Sequence, residues 1–131
     1  MVDPFISTFL EIRYPADGHN SRSLEMTETQ SLAALSALAN QTRLRILKAL
    51  VKAGPRGLPA GEIAAAVAAS PSRTSFHLSN MAEAGLVTQE RAARTITYRV
   101  DFAAMGALLG YLLHDCCAGD PRVQDCCGPR C

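Results

Sequence analysis

Tryptophan is absent from this chain of 131 residues, aromatics make up only 5% of it, and no cysteine occurs before position 116. Each absence narrows the choice of fold. Sandwiches and barrels lean on aromatic residues, whereas the 48% of hydrophobic residues here are rich in alanine and leucine and favour packed helices. A disulfide framework would spread its cysteines along the fold. Five cysteines, an odd number confined to residues 116–131, point instead to thiol chemistry at one end. No apolar run approaches the roughly 20 residues of a membrane span, and the stretch 5–12 is too short for a signal peptide and lacks its basic flank. A cytoplasmic protein with no membrane partner is expected. No Ser/His/Asp arrangement, phosphate loop or catalytic carboxylate pair can be assembled around the three scattered histidines, so the chain is not read as an enzyme. Nor is there a strong field of one sign, since 13 basic against 12 acidic residues leave a net charge of +1. The charge is uneven, however: between positions 70 and 99 Arg73, Arg91, Arg94 and Arg99 face only Glu83 and Glu90, and local charge decides at a phosphate backbone.

What is present reads as one domain, small enough to gain from dimerisation. Residues 1–25 hold Pro4, Pro15, Gly18, His19 and Asn20 without a sustained period and are expected to form a poorly ordered extension. Thr27 and Gln30 form a capping-box pattern, so the folded domain is expected to span 26–115, with a cysteine-rich tail at 116–131. The first helix, to about Asn40, carries Leu32, Leu35 and Leu38. A second, from Thr42 to Ala53, is stopped by Gly54-Pro55; Leu44, Leu47 and Val51 are expected to form its inner stripe, with Ile46 and Leu50 beside it. Arg43 and Arg45 read as a solvated face or as salt-bridged to a neighbouring acid in preference to a phosphate contact.

The stretch 70–87, SPSRTSFHLSNMAEAGLV, marks both ends of a helix. Ser70 can cap it, Pro71 suits its first position, and Gly85 can end it in a left-handed turn. Thr74, Leu78 and Met81 fall on one narrow stripe; Ser72, Arg73, Ser75, Phe76 and Ser79 point elsewhere. Small hydroxyls and one arginine suit the reading of base edges. A short helical pattern at about 60–68 precedes it, joined by only Ala69 and the cap, and two helices so joined form a helix-turn-helix. Beyond Val87 the alternation of Ile96, Tyr98 and Val100 against Thr95, Thr97 and Arg99 gives a strand, paired with about 87–91 across Ala92-Ala93-Arg94. The fold class is therefore mainly α with a small β-hairpin wing, whose Arg91 and Arg94 can reach phosphate or the minor groove of double-stranded DNA. Asp101 caps a last helix in which Phe102, Met105, Leu108, Leu109 and Leu112 form a broad apolar face, with Gly106 and Gly110 permitting close approach of a partner.

That helix runs into His114-Asp115-Cys116-Cys117, and Cys126, Cys127 and Cys131 follow. Adjacent side chains on a helix diverge by about 100°, so Cys116 and Cys117 share an ion only where the helix ends, as Gly119 and Pro121 suggest. A flexible link could then return Cys126 or Cys127 to them. Thiolates select soft ions. As(III) or Sb(III) takes three sulfurs in a pyramid, while Zn(II) or Cd(II) prefers four in a tetrahedron; ligand count alone leaves both open, along with the choice among Cys126, Cys127 and Cys131. His114 reads as a polar residue at a helix end.

Ser70, Ser75, His77 and Leu78, followed by the exit Gly85-Leu86-Val87, resemble the recognition helix of the ArsR/SmtB winged-helix repressors. So does the segment Ala39-Asn40-Gln41-Thr42-Arg43-Leu44-Arg45-Ile46-Leu47, and the resemblance covers 27–115. It implies a winged helix-turn-helix homodimer built largely from the first and last helices, with Ser72, Arg73, Ser75, Phe76, His77, Ser79, Arg91 and Arg94 at operator DNA and His77 in either a structural or a phosphate-contacting role. Arsenic-responsive members of that family often place vicinal cysteines near terminal helices. The expectation is thus an As(III)- or Sb(III)-responsive repressor with Cys116, Cys117, Cys126 and Cys127 as ligand candidates. The alternatives are a zinc/cadmium or thiol-redox sensing repressor of the same fold, or a metal-handling module that does not bind DNA.

Overall fold

The structure, a computed structural model, describes residues 25–126; the expected N-terminal extension, apart from Glu25, lies outside them, as do Cys127 and Cys131. Helix α1, Glu28–Leu38, starts at the expected box, where Thr27 Oγ1 accepts from the Gln30 amide at 3.1 Å and Gln30 Oε1 accepts from the Thr27 amide at 2.8 Å. Asn40 caps α2, Gln41–Ala53, by accepting the Arg43 amide at 3.1 Å, and a 3-10 turn at Gly54–Arg56 ends it. Gly57 follows with φ +69, where a Cβ would lie 2.4 Å from the Tyr98 carbonyl oxygen. Only glycine lets the chain pass that close. Helix α3, Ala60–Val67, closes on Ala68 in the left-handed region. Two residues on, Ser70 caps α4, Pro71–Glu83, by accepting the Arg73 amide, and Gly85 takes φ +77 at its exit.

The wing is larger than the hairpin expected. Strands β2, Val87–Ala92, and β3, Thr95–Val100, pair antiparallel with Val87 opposite Val100 and Ala92 opposite Thr95. A third strand, β1, Leu58–Pro59, pairs with β3, Leu58 facing Tyr98, so the sheet order is β1-β3-β2. Two residues carry no period, which is why this strand left no trace in the pattern. It fastens the wing to the start of α3.

Two cores hold the molecule together. One packs Ile46, Leu47 and Leu50 of α2, Ile63 and Val67 of α3, Leu78 and Met81 of α4, and Val87, Tyr98 and Val100 of the sheet. The other packs Met26, Ala34, Ala37, Ala84 and Leu86 against Ala104, Ala107 and Leu108. The inner stripe of α2 differs from the expected one. Leu44 and Val51 face outward, and Ile46, Leu47 and Leu50 are buried. Two leucine-bearing faces compete on this helix, and the arrangement of α3, α4 and the sheet around it, not its own period, decides which one is covered.

Helix α5, Phe102–Gly110, is capped by Asp101 Oδ1, which accepts the Ala104 amide at 3.0 Å. It continues as a wider π-helical segment, Tyr111–Cys116, in which the Cys117 amide donates to the Leu112 carbonyl five residues back. Of the expected apolar face only Leu108 is buried; Met105 and Leu112 are half-buried, while Phe102 and Leu109 are exposed. A Cβ at Gly106 or Gly110 would meet nothing within 4 Å, so that side of α5 stays open within the subunit. After a left-handed turn at Ala118 and Gly119, a short helix α6, Pro121–Cys126, replaces the flexible link expected there. Among the described residues no helix is long and apolar enough to cross a membrane.

Candidate nucleic-acid interface and cysteine end

Helix α4 sorts its side chains as its pattern requires. Thr74, Leu78 and Met81 are buried, and Ser72, Arg73, Ser75, Phe76 and Ser79 are exposed on the outer side. With α3 beneath it and only Ala68–Ser70 between them, α4 has the placement of a recognition helix whose first turns face the major groove. A cleft of about 270 Å³ opens on this face between Ser72, Arg73, Phe76 and His77.

His77 differs from the others. It is 7% exposed, its ring lies edge-on to that of Phe76 with centroids 5.7 Å apart, and its Nδ1 accepts from the Arg43 guanidinium at 3.2 Å. That bond assigns the neutral tautomer with the proton on Nε2. Burial first, then the positive charges of Arg43 and Arg73, hold the imidazole below its ordinary value. His77 is thus placed for the structural role, under the surface that its neighbours form. Arg43 corrects the sequence reading, which had it solvated or paired with an acid. Its Nε donates to the Ala37 carbonyl near the end of α1, and with the same guanidinium it ties α1 and α2 to α4. A contact spanning 34 residues has no local signature.

At the wing, Arg91 and Arg94 are exposed, Arg94 in the two-residue turn itself. Arg99 is occupied instead: its Nε donates to the Pro55 carbonyl at 2.8 Å and its guanidinium pairs with Glu90 at 2.8 Å. It fixes the strand rather than adding to the outward charge. Of the four arginines between positions 70 and 99, Arg73, Arg91 and Arg94 are exposed.

At the other end, Cys116 is exposed on the last residue of the π-helical segment, Cys117 is half-buried just after it, and Cys126 is exposed at the end of α6. No group of three or more potential metal ligands converges among the described residues. Asp120 is engaged elsewhere, gripping Arg122 through both carboxylate oxygens at 3.0 and 2.8 Å, and the guanidinium lowers its carboxyl below the usual range. Tyr111 is raised by burial and by the negative charges of Glu28, Asp115 and Cys116.

A helix-turn-helix domain family matches residues 38–90, which span α2 to the middle of β2. The HTH-type transcriptional regulator YgaV of Escherichia coli K12 is 34% identical over 94 residues, 72% of this chain and 93% of that protein. Among solved structures, an ArsR-like transcriptional regulator from Rhodococcus sp. RHA1 superposes with a TM-score of 0.61 at 25% identity, covering 74% of this chain and 89% of that one. The homodimeric winged helix-turn-helix domain of Mb0332 from Mycobacterium bovis, described as a possible ArsR-family regulator, gives 0.54 at 26% identity, with 80% and 96% covered. The AntR antimony-specific transcriptional repressor gives 0.52 at 26% identity, with 80% and 94% covered.

Proposed function

The chain belongs to the ArsR/SmtB family of winged helix-turn-helix transcriptional regulators, and from that premise we propose that it is a homodimeric repressor that leaves its operator when As(III) or Sb(III) binds its C-terminal thiols. The observation that carries the metalloid reading is the pair Cys116 and Cys117 at the end of the π-helical continuation of α5, with Cys126 at the end of the short helix α6 that follows a left-handed turn. Thiolates suit a soft, thiophilic ion, and the structural likeness to an antimony-specific repressor supports the same choice.

The described thiols do not converge on a ready site, so a three-sulfur ion must gather them, with Cys126, Cys127 or Cys131 as the third ligand. Gathering is what gives the ion leverage. It acts on the helix end that follows Leu109 and Leu112, and shifts the helix pair through which two subunits are proposed to meet. A near-complete switch needs about 5.5 kcal/mol of preference for the released state, within reach of several sulfur bonds and beyond one. The function is binding, not catalysis.

Titrating the DNA complex with arsenite, antimonite, zinc and cadmium tests this. Release by arsenite and antimonite, lost in the Cys116→Ser, Cys117→Ser double variant with DNA binding intact, is the expected result. Release by zinc or cadmium alone would transfer the site to the tetrahedral-ion reading, and release on mild oxidation alone would make it a redox sensor.

A further inference from the structure

Phe76 is 66% exposed in the middle of the reading face, surrounded by Ser72, Ser75, Ser79 and Arg73 on the outer side of α4. Every neighbour on that surface can hydrogen-bond; the phenyl ring cannot. It is also held in place, edge-on against the buried His77 ring, which Arg43 anchors in turn, and it walls the cleft it shares with Ser72 and Arg73. Exposing a large apolar ring at a fixed orientation calls for an apolar partner. In the major groove the one apolar feature that base edges present is the C5-methyl group of thymine. We infer that Phe76 is a specificity-determining residue that packs its ring against a thymine methyl in each half-site, beside the base read by Arg73.

The placement fixes where that thymine lies. Arg73 and Phe76 are three residues apart, about 4.5 Å along the helix axis at 1.5 Å per residue, while bases stack about 3.4 Å apart on each strand. The thymine therefore falls within about two base pairs of the guanine that a bidentate Arg73 would choose. A subunit contact is the other use of an exposed phenyl, but the other exposed large apolar side chains lie on α1 (Leu32, Leu35), α2 (Leu44, Val51) and α5 (Phe102, Leu109), not on the polar surface of α4 around Phe76.

The contact rests on operator binding through α4, and the test separates the two. Duplexes selected by the arsenite-free protein from a random pool are resynthesised with uracil at each thymine in turn, which removes only the methyl. Binding of wild type and Phe76→Ala is then measured by fluorescence anisotropy, and the dimer is verified by sedimentation. Losing one buried methyl weakens wild type about fourfold, or about fifteenfold when both half-sites are changed. Phe76→Ala is expected to bind the unmodified and uracil duplexes equally, and Phe76→Leu to keep part of the difference. The inference is overturned if no uracil position weakens wild type, if the penalty persists in Phe76→Ala, if the sensitive thymine lies more than about two base pairs from the position altered by Arg73→Ala, or if Phe76→Ala becomes monomeric. If no duplex is selected at all, the operator-binding reading itself fails, and the contact with it.

Discussion

The two cores of this protein are built from opposite materials. Around α2, α3 and α4 the interior is filled by isoleucine, leucine, methionine and tyrosine, while between α1 and α5 it is mostly alanine. In the second region the large side chains are outside: Leu32 is 59% and Leu109 54% exposed. The first region buries most of its large apolar side chains, with Leu44, Val51 and Phe76 left outside. The second does not, and its alanines let the helices lie close while their leucines remain available to another surface. The same polypeptide thus carries a reading head with a bulky interior and a helix pair whose leucines stay exposed within the subunit.

The comparison breaks most sharply under truncation of the head. Leu50→Ala removes a fully buried side chain from the middle of the larger core and is expected to cost about 2–5 kcal/mol in denaturant unfolding. A loss under about 1 kcal/mol would mean that the head is loosely packed after all. Leu35→Asp with Leu109→Asp should do the reverse, because both positions are exposed in the subunit. Subunit folding, followed by circular dichroism, is expected to change by less than about 1 kcal/mol. Association should fall by about 1.5–3 kcal/mol per leucine withdrawn from an interface. Sedimentation showing an undisturbed dimer would place the interface elsewhere and remove the reason given for the inside-out α1.

How legible each region was follows from the same contrast. The head could be read because its signals are local: Ser70 and Pro71 open α4, Gly85 ends it, and its buried stripe of Thr74, Leu78 and Met81 is one helical face. Where the head was misread, a long-range contact had decided. Leu44 and Val51 were expected inside, yet the neighbours of α2 cover its other face. Arg43 was read as a surface charge, yet it meets a histidine on another helix. In the helix pair, the capping box of Thr27 and Gln30 located the start of α1, but Gln30 and Ser31 are buried beside Ala34 and Ala37, an arrangement that a hydrophobicity pattern scores as the wrong face. The widening of the last helix at Tyr111–Cys116 has no residue signature, because it changes hydrogen-bond register and not composition. Around the thiols, residue type was legible, whereas the placing of Cys116 on a π-helical end and of Cys126 on a short helix was not.

The smallest effect concerns the joint between the two regions, where Arg43 touches the α1 carbonyl of Ala37 and the α4 side chain of His77. The groups facing that imidazole are Arg43 from α2 and Arg73 from α4, both cationic, and together with burial they keep it neutral below its ordinary value. A depressed base makes the native state the poorer proton binder. As pH falls through about 6.5 the unfolded chain takes up a proton that the native chain refuses. The contribution of His77 is therefore fully present above the unfolded value and is lost as pH falls from there toward the depressed native one. For one proton the slope is no steeper than about 1.4 kcal/mol per pH unit. His77→Gln keeps a neutral acceptor for Arg43 and removes the titration, so the stability of wild type relative to this variant should decline between about pH 7.5 and 5.5. Parallel curves for wild type and His77→Gln would show that the imidazole titrates alike folded and unfolded, and that the joint does not hold it neutral.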